Sequence, residues 1–298
     1  MSFSSRGCVP ELPNNIEQDL ECDVLQACPG KGIDYMRLYL DFYGKLPQNW
    51  ILGILDKVWT GYACDPVIRR AGASGGVTTQ VLCHLLKSGW IDAAIVVKQG
   101  VPKADQASAI IVETEEEIKA AAQSVYIPVS TLDILSKLKS EKSYAITCLP
   151  DQAAALRKMQ LQGLESANTI KYLIGPYTGT ALEPEAIRCL LRSRGVKDND
   201  NIVSLKWRAG EWPGYLEIIM ESGKIIRSKK VYYNFLIPFF ITQASLQSVD
   251  FCNEFCDLAI GDAWSPEYEA MGSGFSVVAS RSAEMSMIIK EMEDLGSL

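Results

Sequence analysis

A glycine-rich segment placed directly before an amphipathic helix is the feature that most constrains how this chain folds. The segment spans residues 69–79 and reads RRAGASGGVTT. Apolar residues with helical spacing follow, at Val77, Val81, Leu82, Leu85 and Leu86. The unpaired N–H groups of the first helical turn therefore point back towards the glycines, where phosphate binds well. Glycine, hydroxyl and arginine together predict an anion-binding turn, and an ordinary loop with a helix cap is the alternative.

The same residues match the Gly-x-Ser-x-Gly pattern of serine hydrolases, with Ser74 in the position of the nucleophile. That pattern requires a strand before the serine and a histidine that reaches it. The single histidine, His84, lies on the helix that the serine would begin, and the rise between the two residues is about 15 Å. A serine hydrolase is therefore excluded, and the chemistry is expected to depend on a bound cofactor.

Composition is that of a globular protein without a general affinity for nucleic acid. The chain has 298 residues, 48% hydrophobic and 22% charged, with a formal net charge of -7. A basic face is not expected from this balance. The apolar runs are too short to span a membrane, and the N-terminal residues do not resemble a signal peptide. The nine cysteines are widely spaced, as in reduced intracellular proteins, so we expect a cytoplasmic protein.

Strands and helices alternate along most of the chain, which predicts an α/β fold with a mixed sheet core flanked by helices. Residues 1–50 are interpreted as an irregular N-terminal arm or the remnant of a small module, residues 51–195 carry the α/β pattern, and residues 196–298 are strand-rich. We predict strands at residues 92–98, 108–113, 143–147, 169–174, 216–220, 225–228 and 275–280. Helices are predicted at residues 114–122, 152–162 and 183–194 and at the C terminus.

Seven short motifs occur in the order and spacing of one known family. They are Arg70 with Ser74-Gly75-Gly76 and Thr79; Gly89 with residues 91–97; residues 124–129; Leu149-Pro150 with Gln152 and residues 155–157; Ile174-Gly175; Arg208 with Gly210 and residues 212–214; and Asp257 with residues 261–264. In these motifs the chain resembles the beta subunit family of coenzyme F420-reducing hydrogenases and dehydrogenases. The resemblance implies an α/β flavoprotein that binds FAD, whereas the substrate does not follow from the fold.

The resemblance also assigns roles to residues of these motifs. The predicted cofactor-binding set is Arg70, Ser74, Gly75, Gly76, Thr79, Ser124, Tyr126, Gln152 and Asp262. The glycine-rich turn would hold the diphosphate of FAD, and Ser124 and Tyr126 would line the cofactor. No catalytic side chain is predicted, because the isoalloxazine carries the hydride chemistry. A half-buried tyrosine on an ordinary loop is the alternative for residues 124–126, and a turn that ends a strand is the alternative for Asp262.

The function implied is a flavin-dependent oxidoreductase subunit that transfers electrons or hydride through FAD to or from a deazaflavin, such as coenzyme F420, or another acceptor. The competing hypothesis is a non-catalytic accessory or scaffold subunit of a redox complex that has lost its clusters. The two differ in a simple observable, since only the first requires the purified protein to bind flavin.

Several positions depart from the family in ways that concern iron-sulfur clusters. The resemblance implies that the chain starts after the usual ferredoxin-like segment and that residues without a thiol replace cysteines at Asp151, Thr178, Ser245 and Ser248. A [4Fe–4S] cluster normally needs four thiolates. The candidates for a relocated set are Cys22, Cys28, Cys252 and Cys256, with a packing role as the favoured alternative. Electrons are therefore expected from a partner redox protein, such as a hydrogenase or dehydrogenase subunit, or from reduced coenzyme F420.

Overall fold

A computed structural model describes residues 18–229 and 234–298, together with two short paired strands, β1 (Ser2–Ser4) and β2 (Gly7–Val9); side chains are described from residue 23 onward. The other strands are β3 (Lys57–Gly61), β4 (Ala93–Gln99), β5 (Ala107–Val112), β6 (Tyr144–Thr147), β7 (Ile170–Pro176), β8 (Ile202–Ala209), β9 (Tyr215–Met220), β10 (Ile225–Lys229), β11 (Leu258–Asp262) and β12 (Ser276–Ser280).

The helices connect these strands and cover their faces. They are α1 (Gln18–Ala27), α2 (Tyr35–Tyr43), α3 (Pro66–Ala71), α4 (Val77–Lys87), α5 (Glu115–Ala120), α6 (Pro150–Leu161), α7 (Glu165–Asn168), α8 (Glu185–Ser193), α9 (Ile237–Phe240), α10 (Gln243–Gln247), α11 (Pro266–Ala270) and α12 (Ala283–Asp294). Short 3-10 helices lie at Pro29–Lys31, Thr131–Lys137 and Asn234–Leu236. Among the described helices, none combines the length and the apolar composition that crossing a membrane requires.

The main sheet has seven strands in the order β3-β12-β11-β7-β6-β4-β5. Neighbours β4, β6, β7 and β11 run parallel, whereas β12 is antiparallel to both β11 and β3, and β5 is antiparallel to β4. The carboxyl ends of β3, β4, β6, β7 and β11 therefore lie at one edge of the sheet. Ligands of open α/β sheets bind at such an edge.

Helices bury both faces of this sheet, because successive side chains of a strand point to opposite faces. Ala94 and Val96 of β4 belong to a cluster with residues of α4 and α12, whereas Ala93 and Ile95 pack with residues of α2 and α6. The result is a three-layer arrangement of helices, sheet and helices, which confirms the predicted α/β fold with a mixed sheet.

A smaller antiparallel sheet, in the order β10-β9-β8, has its own apolar core with α8. Trp207 of β8 is among the largest fully buried side chains of this part of the molecule. The chain then returns to the main sheet through β11 and β12, so the seven-stranded sheet takes strands from both sides of residue 195. This return brings Asp262 of β11 to the same edge as the glycine-rich turn.

Two segments differ from the sequence expectation. Helices α1 and α2 lie within the region expected to be irregular; Asp34 caps α2 by accepting the N–H of Arg37, and Tyr39 of α2 is buried against Phe255. Strand β3 was not predicted, because it is short and half-exposed. The segment before Ser74 forms helix α3 with Asp65 as its cap, which supports the exclusion of a serine hydrolase.

Candidate functional site

Arg208 of β8 lies at the centre of the hydrogen bonds that join the predicted motifs. Its Nε donates to the carbonyl of Pro213 at 2.6 Å, and its Nη1 donates to the Tyr126 hydroxyl at 3.2 Å. Its Nη2 donates to the carbonyl of Ala73 in the glycine-rich turn at 2.6 Å and forms an ion pair with Asp262 at 3.0 Å. The side chain is buried, where an arginine needs such partners. We call Arg208 with these four partners the arginine hub.

Two tryptophans add an aromatic contact beside the hub. Trp212 precedes Pro213 in the turn between β8 and β9, and Trp264 follows Asp262 by two residues. Their ring centroids are 4.7 Å apart with an interplanar angle of 37°. The hub and this ring pair together fix the small sheet against the edge of the large one, since aromatic ring pairs add about 0.5–1.5 kcal/mol beyond their buried area.

The glycines of the turn are explained by packing against the protein itself. A Cβ on Gly75 would lie 2.9 Å from both the carbonyl O of Gly61 and Oγ of Ser276, and a Cβ on Gly76, which has a φ of +76°, would lie 2.8 Å from the carbonyl O of Ile68. The Ser74 hydroxyl is 2.9 Å from that of Ser276. We expected the glycines to make room for a ligand, whereas protein atoms fill the space beside them.

The start of α4 nevertheless keeps the properties of an anion site. Gly76 is the N-cap and provides no side-chain hydrogen bond, and the first turn contains no acidic residue. Arg70 pairs with Glu211 at 2.9 Å, but the two side chains are 75% and 66% exposed. An exposed pair of this kind is worth about 1 kcal/mol or less, so Arg70 can exchange Glu211 for a ligand anion. Thr79 lies in the same turn and is buried.

Ser124 and Tyr126 occupy adjoining positions with different roles. Ser124 lines a cleft of about 420 Å³ between the end of α5 and strand β8. The Tyr126 ring meets the ring of Trp207 edge-on, with centroids 5.5 Å apart, and Trp207 also lines the cleft. The Tyr126 hydroxyl accepts a hydrogen bond from Arg208, which leaves its own proton available to a ligand.

Gln152 is engaged at the start of α6 rather than at the hub. Its Oε1 accepts the N–H of Leu149 at 2.9 Å, which caps the helix. Beside it, the Ser248 hydroxyl donates to Asp151 at 3.3 Å, and the Ser245 hydroxyl accepts the N–H of Ala181 at 2.9 Å. Three positions at which the resemblance implies cysteines are thus occupied by hydroxyl and carboxylate groups that satisfy one another or the backbone.

The cysteine candidates for a cluster are not alike in their surroundings. Cys28 is exposed, whereas Cys252 and Cys256 are buried, and the side chain of Cys22 lies outside the described residues. The Cys256 thiol donates to the carbonyl of Asn253 at 2.9 Å, and burial raises its pKa to about 12. Across the described side chains, no group of three or more His, Cys, Asp or Glu residues is arranged to hold a metal ion.

A buried acidic group beside α2 was not foreseen from the sequence. Asp250 is 2% exposed and Glu254 is also buried. Glu254 accepts a hydrogen bond from the Tyr39 hydroxyl, and Asp250 accepts the N–H of Glu254 at 2.7 Å. Within the described residues, Oδ1 of Asp250 has no hydrogen-bond partner. Burial raises the pKa of both carboxyls above its usual range; the charge of Asp250 adds to the rise at Glu254, and the charge of Asp151 adds to the rise at Asp250. We call Asp250, Glu254 and Tyr39 the buried acidic group.

The sequence motifs included Arg208 but did not indicate that it joins the other motifs. Arg208 belongs to one of the seven motifs, yet it was absent from the predicted binding set. A buried arginine cannot be distinguished in a sequence from an exposed one. The structure unites Tyr126, Asp262 and the glycine-rich turn through that residue, while Gln152 lies at a different strand end.

Comparison with known families confirms the resemblance. The model for "Coenzyme F420 hydrogenase/dehydrogenase, beta subunit N-term" matches residues 58–136, and that for the C terminus of the same subunit matches residues 141–298. These matches cover most of the chain, which therefore belongs to the coenzyme F420 hydrogenase/dehydrogenase beta subunit family. Ala73 and Tyr126 of the hub fall in the N-terminal match, and Arg208 and Asp262 fall in the C-terminal one.

Individual relatives agree with this placement. The chain is 24% identical over 263 residues to the coenzyme F420 hydrogenase subunit beta of Methanothermobacter thermautotrophicus, covering 83% of this chain and 84% of that protein. It is 26% identical over 238 residues to a coenzyme F420-dependent sulfite reductase of Methanocaldococcus jannaschii, covering 74% of this chain but only 35% of that protein.

A solved structure shares the fold. A chain of the F420-reducing [NiFe] hydrogenase complex from Methanosarcina barkeri superposes with a TM-score of 0.65 at 17% identity, covering 84% of this chain and 82% of that one. The likeness shows the common architecture of mixed sheet and flanking helices.

Proposed function

We propose that this protein is a flavin-dependent redox subunit that exchanges electrons or hydride with coenzyme F420 or another small acceptor. The observation that carries the proposal is the arginine hub, in which motifs from both matched regions of the family meet at the carboxyl edge of the sheet. The proposal is supported by two relatives named for coenzyme F420. An oxidoreductase role fits an edge where cofactors of α/β proteins bind.

The residues near the hub fit FAD in charge and in hydrogen-bonding capacity. The uncapped start of α4 and the exchangeable Arg70 would hold the diphosphate. Tyr126 has a hydroxyl proton to donate, and Ser124 lies two residues before it on the wall of the cleft. When bound, FAD supplies the hydride chemistry that the side chains lack. The side chains bind and orient the cofactor, while Arg208 positions Tyr126 and Asp262 relative to one another.

The source of electrons is proposed to lie outside this chain. Asp151, Ser245 and Ser248 hold hydrogen bonds where thiolates would be needed for a cluster. One relative is a subunit of a hydrogenase, so a partner redox protein is the expected donor or acceptor, with the reduced deazaflavin as the direct alternative.

Binding of FAD tests the proposal. Purified protein would be incubated with FAD, freed of excess, and assayed for its flavin content; the dissociation constant would follow from quenching of flavin fluorescence. We expect one FAD per chain, and Arg70→Gln should weaken binding by about tenfold, because a charge-assisted bond contributes about 1.5 kcal/mol. Arg188→Gln, at an exposed position on α8, is the matched control and should bind like the wild type.

The opposite result would favour the accessory role. A folded protein that does not bind FAD at any concentration, and whose Arg70→Gln variant behaves identically, would be a scaffold that retains the family fold. The hydrogen bond between Ser248 and Asp151 is the observation that favours this second function, because neither residue can supply a thiolate to a cluster.

A further inference from the structure

The cleft beside Ser124 has an electrostatic character that the proposed flavin site does not explain. Its walls come from the end of β4, from α5 and the following loop, and from residues 203–207 of β8. Lys119 and Lys206 line it, and no Asp or Glu does. In a chain of net charge -7, a concave surface with positive side chains alone attracts anions.

Both lysines are available to a ligand. Lys206 forms no ion pair with any described residue. Lys119 lies 3.5 Å from Glu115 one helical turn away, and both side chains are 35% exposed. A pair at this distance and exposure contributes about 0.5 kcal/mol. An anion bound between the lysines can therefore displace Glu115 at little cost.

Gln99 adds a second requirement on the ligand. Its Nε2 donates to the carbonyls of Ala104 at 2.8 Å and Gln106 at 3.1 Å, which fixes the orientation of the amide. Its Oε1 is buried and has no hydrogen-bond partner within the described part of the chain. A buried acceptor without a partner is costly, and a small shift of the Gln99 side chain towards the cleft would let Oε1 accept an N–H or O–H donor of a ligand.

One residue that lines the cleft has an unusual backbone conformation. Gln123, which lines it, has a φ of 111°, a conformation that is rare for residues other than glycine. Strained residues of this kind concentrate at ligand sites, where the surrounding structure maintains them. Strand β8 is one of the two edge strands of its sheet, so the cleft also borders a strand edge that the sheet does not pair.

We propose that this cleft binds the carboxylate or phosphate group of a small ligand other than the flavin, held by Lys119 and Lys206, with Gln99 accepting a donor of the same ligand. Trp207 lines the cleft and contacts Tyr126, which belongs to the arginine hub. The cleft therefore adjoins the hub through these two rings. Its assignment as the second redox substrate rests on the proposed function, whereas anion binding itself does not.

Titration of the flavin-free full chain with inorganic pyrophosphate and, separately, with citrate tests the proposal by isothermal titration calorimetry. We expect at least one of them to bind, pyrophosphate if the ligand bears phosphate and citrate if it bears carboxylates. The double variant Lys119→Gln/Lys206→Gln should weaken that binding by at least about tenfold. Lys137→Gln/Lys139→Gln, exposed on another surface, changes the net charge equally and should remain within about twofold of the wild type.

Three results would overturn the proposal. Neither anion binds; or the control double variant loses affinity as the cleft variant does, which indicates general charge attraction; or saturating FAD displaces the anion, which assigns the cleft to the cofactor itself. The Arg70→Gln variant should retain anion binding in the cleft. Failure of FAD binding with anion binding intact would count against the proposed function alone, so the two tests are separable.

Discussion

Arg208 and Arg281 are both buried arginines that join distant parts of the chain, yet their partners differ in kind. Arg208 bonds to a tyrosine hydroxyl, a carboxylate and two carbonyls. Arg281 donates to four backbone carbonyls, those of Leu52, Ile54, Cys252 and Asn253. The first arginine connects side chains that a ligand can reach, whereas the second holds loops in place. Burial of an arginine is therefore not enough to propose a functional site, and the chemistry of its partners is the basis on which we propose one at Arg208.

The charges around the two arginines are balanced differently as well. Asp262 pairs directly with Arg208 at 3.0 Å. In the buried acidic group, Asp250 and Glu254 lie near Arg281 without forming an ion pair with it among the described contacts, because its donors are committed to carbonyls. The structure thus contains one neutralised charge pair at the sheet edge and two acidic groups whose charged forms are disfavoured.

The largest expected effect is that of Arg281→Met. The substitution leaves buried carbonyls without donors and removes the positive charge beside the buried acidic group, so we expect the free energy of unfolding to fall by about 4 kcal/mol. Urea unfolding followed by circular dichroism measures it, with Arg188→Met as an exposed control. A loss below about 1 kcal/mol would contradict the structural role given to Arg281.

A smaller loss is expected from Arg208→Lys, about 2 kcal/mol. Lysine keeps the charge opposite Asp262, but its single ammonium group cannot reach the acceptors that the guanidinium spans. A double-mutant cycle of Arg208→Met with Asp262→Asn isolates the ion pair, because methionine removes the charge that lysine keeps, and we expect these two substitutions to be non-additive by about 1 kcal/mol. Strict additivity in urea unfolding would show that the pair at 3.0 Å contributes no coupling.

The buried acidic group predicts a pH dependence of stability with a definite sign. Since the folded-state pKa of Asp250 and Glu254 is raised, the folded protein binds more protons than the unfolded chain between the ordinary and the raised values. The contribution of these two carboxyls to the free energy of unfolding is then fully present below the ordinary carboxyl pKa of about 4. It is lost as pH rises through the raised folded-state pKa.

Urea unfolding of the wild type and of Asp250→Asn, repeated from pH 5 to pH 8, checks this sign. Tyr35, Asp151 and Arg281 also act on the group, and the variant removes only the titration of Asp250. We expect a flatter profile in Asp250→Asn and an unchanged one in the exposed control Asp133→Asn. Identical slopes in the wild type and in Asp250→Asn would contradict the raised pKa.

The smallest expected effect on stability is that of Arg70→Gln. Its partner Glu211 is 66% exposed, and solvent screens such a pair, so the free energy of unfolding should change by less than about 0.5 kcal/mol. Arg70 differs from Arg208 in this respect, because Arg70 is expected to affect ligand binding without affecting the stability of the fold. A loss above about 1 kcal/mol in the same urea assay would assign Arg70 to packing instead.

Much of the fold was predictable because periodicity reports burial. The strands that became β4 to β7 and the cap of α5, where Thr114 and Glu117 bond to each other, were foreseen within one or two residues. Helix α2 was not predicted, because the burial of its tyrosine Tyr39 depends on contact with Phe255, which is distant in sequence. Local patterns predict elements, and long-range packing decides the rest.

The site was predictable as a set of motifs but not as an arrangement. The family resemblance predicted cofactor-binding roles for Ser74, Tyr126 and Asp262, and these roles stay predictions. Arg208, which bonds to Tyr126 and Asp262, was included in a motif but not in the predicted binding set. The glycines of the turn were expected to leave space for a ligand, whereas a side chain at Gly75 or Gly76 would meet atoms of Gly61, Ile68 and Ser276. Sequence patterns do not reveal which atoms fill the space beside a glycine, because those atoms come from remote segments.

The proposed function requires this chain to carry FAD and to exchange hydride with a deazaflavin. The most direct measurement is anaerobic stopped-flow mixing of FAD-loaded protein with reduced coenzyme F420, following flavin absorbance and the return of oxidised coenzyme. We expect bound FAD to be reduced in step with coenzyme oxidation, and Arg208→Lys to slow the reaction per bound flavin. Protein that takes up no FAD, or bound FAD that stays oxidised in the presence of reduced coenzyme F420 and of other reduced donors alike, would contradict it.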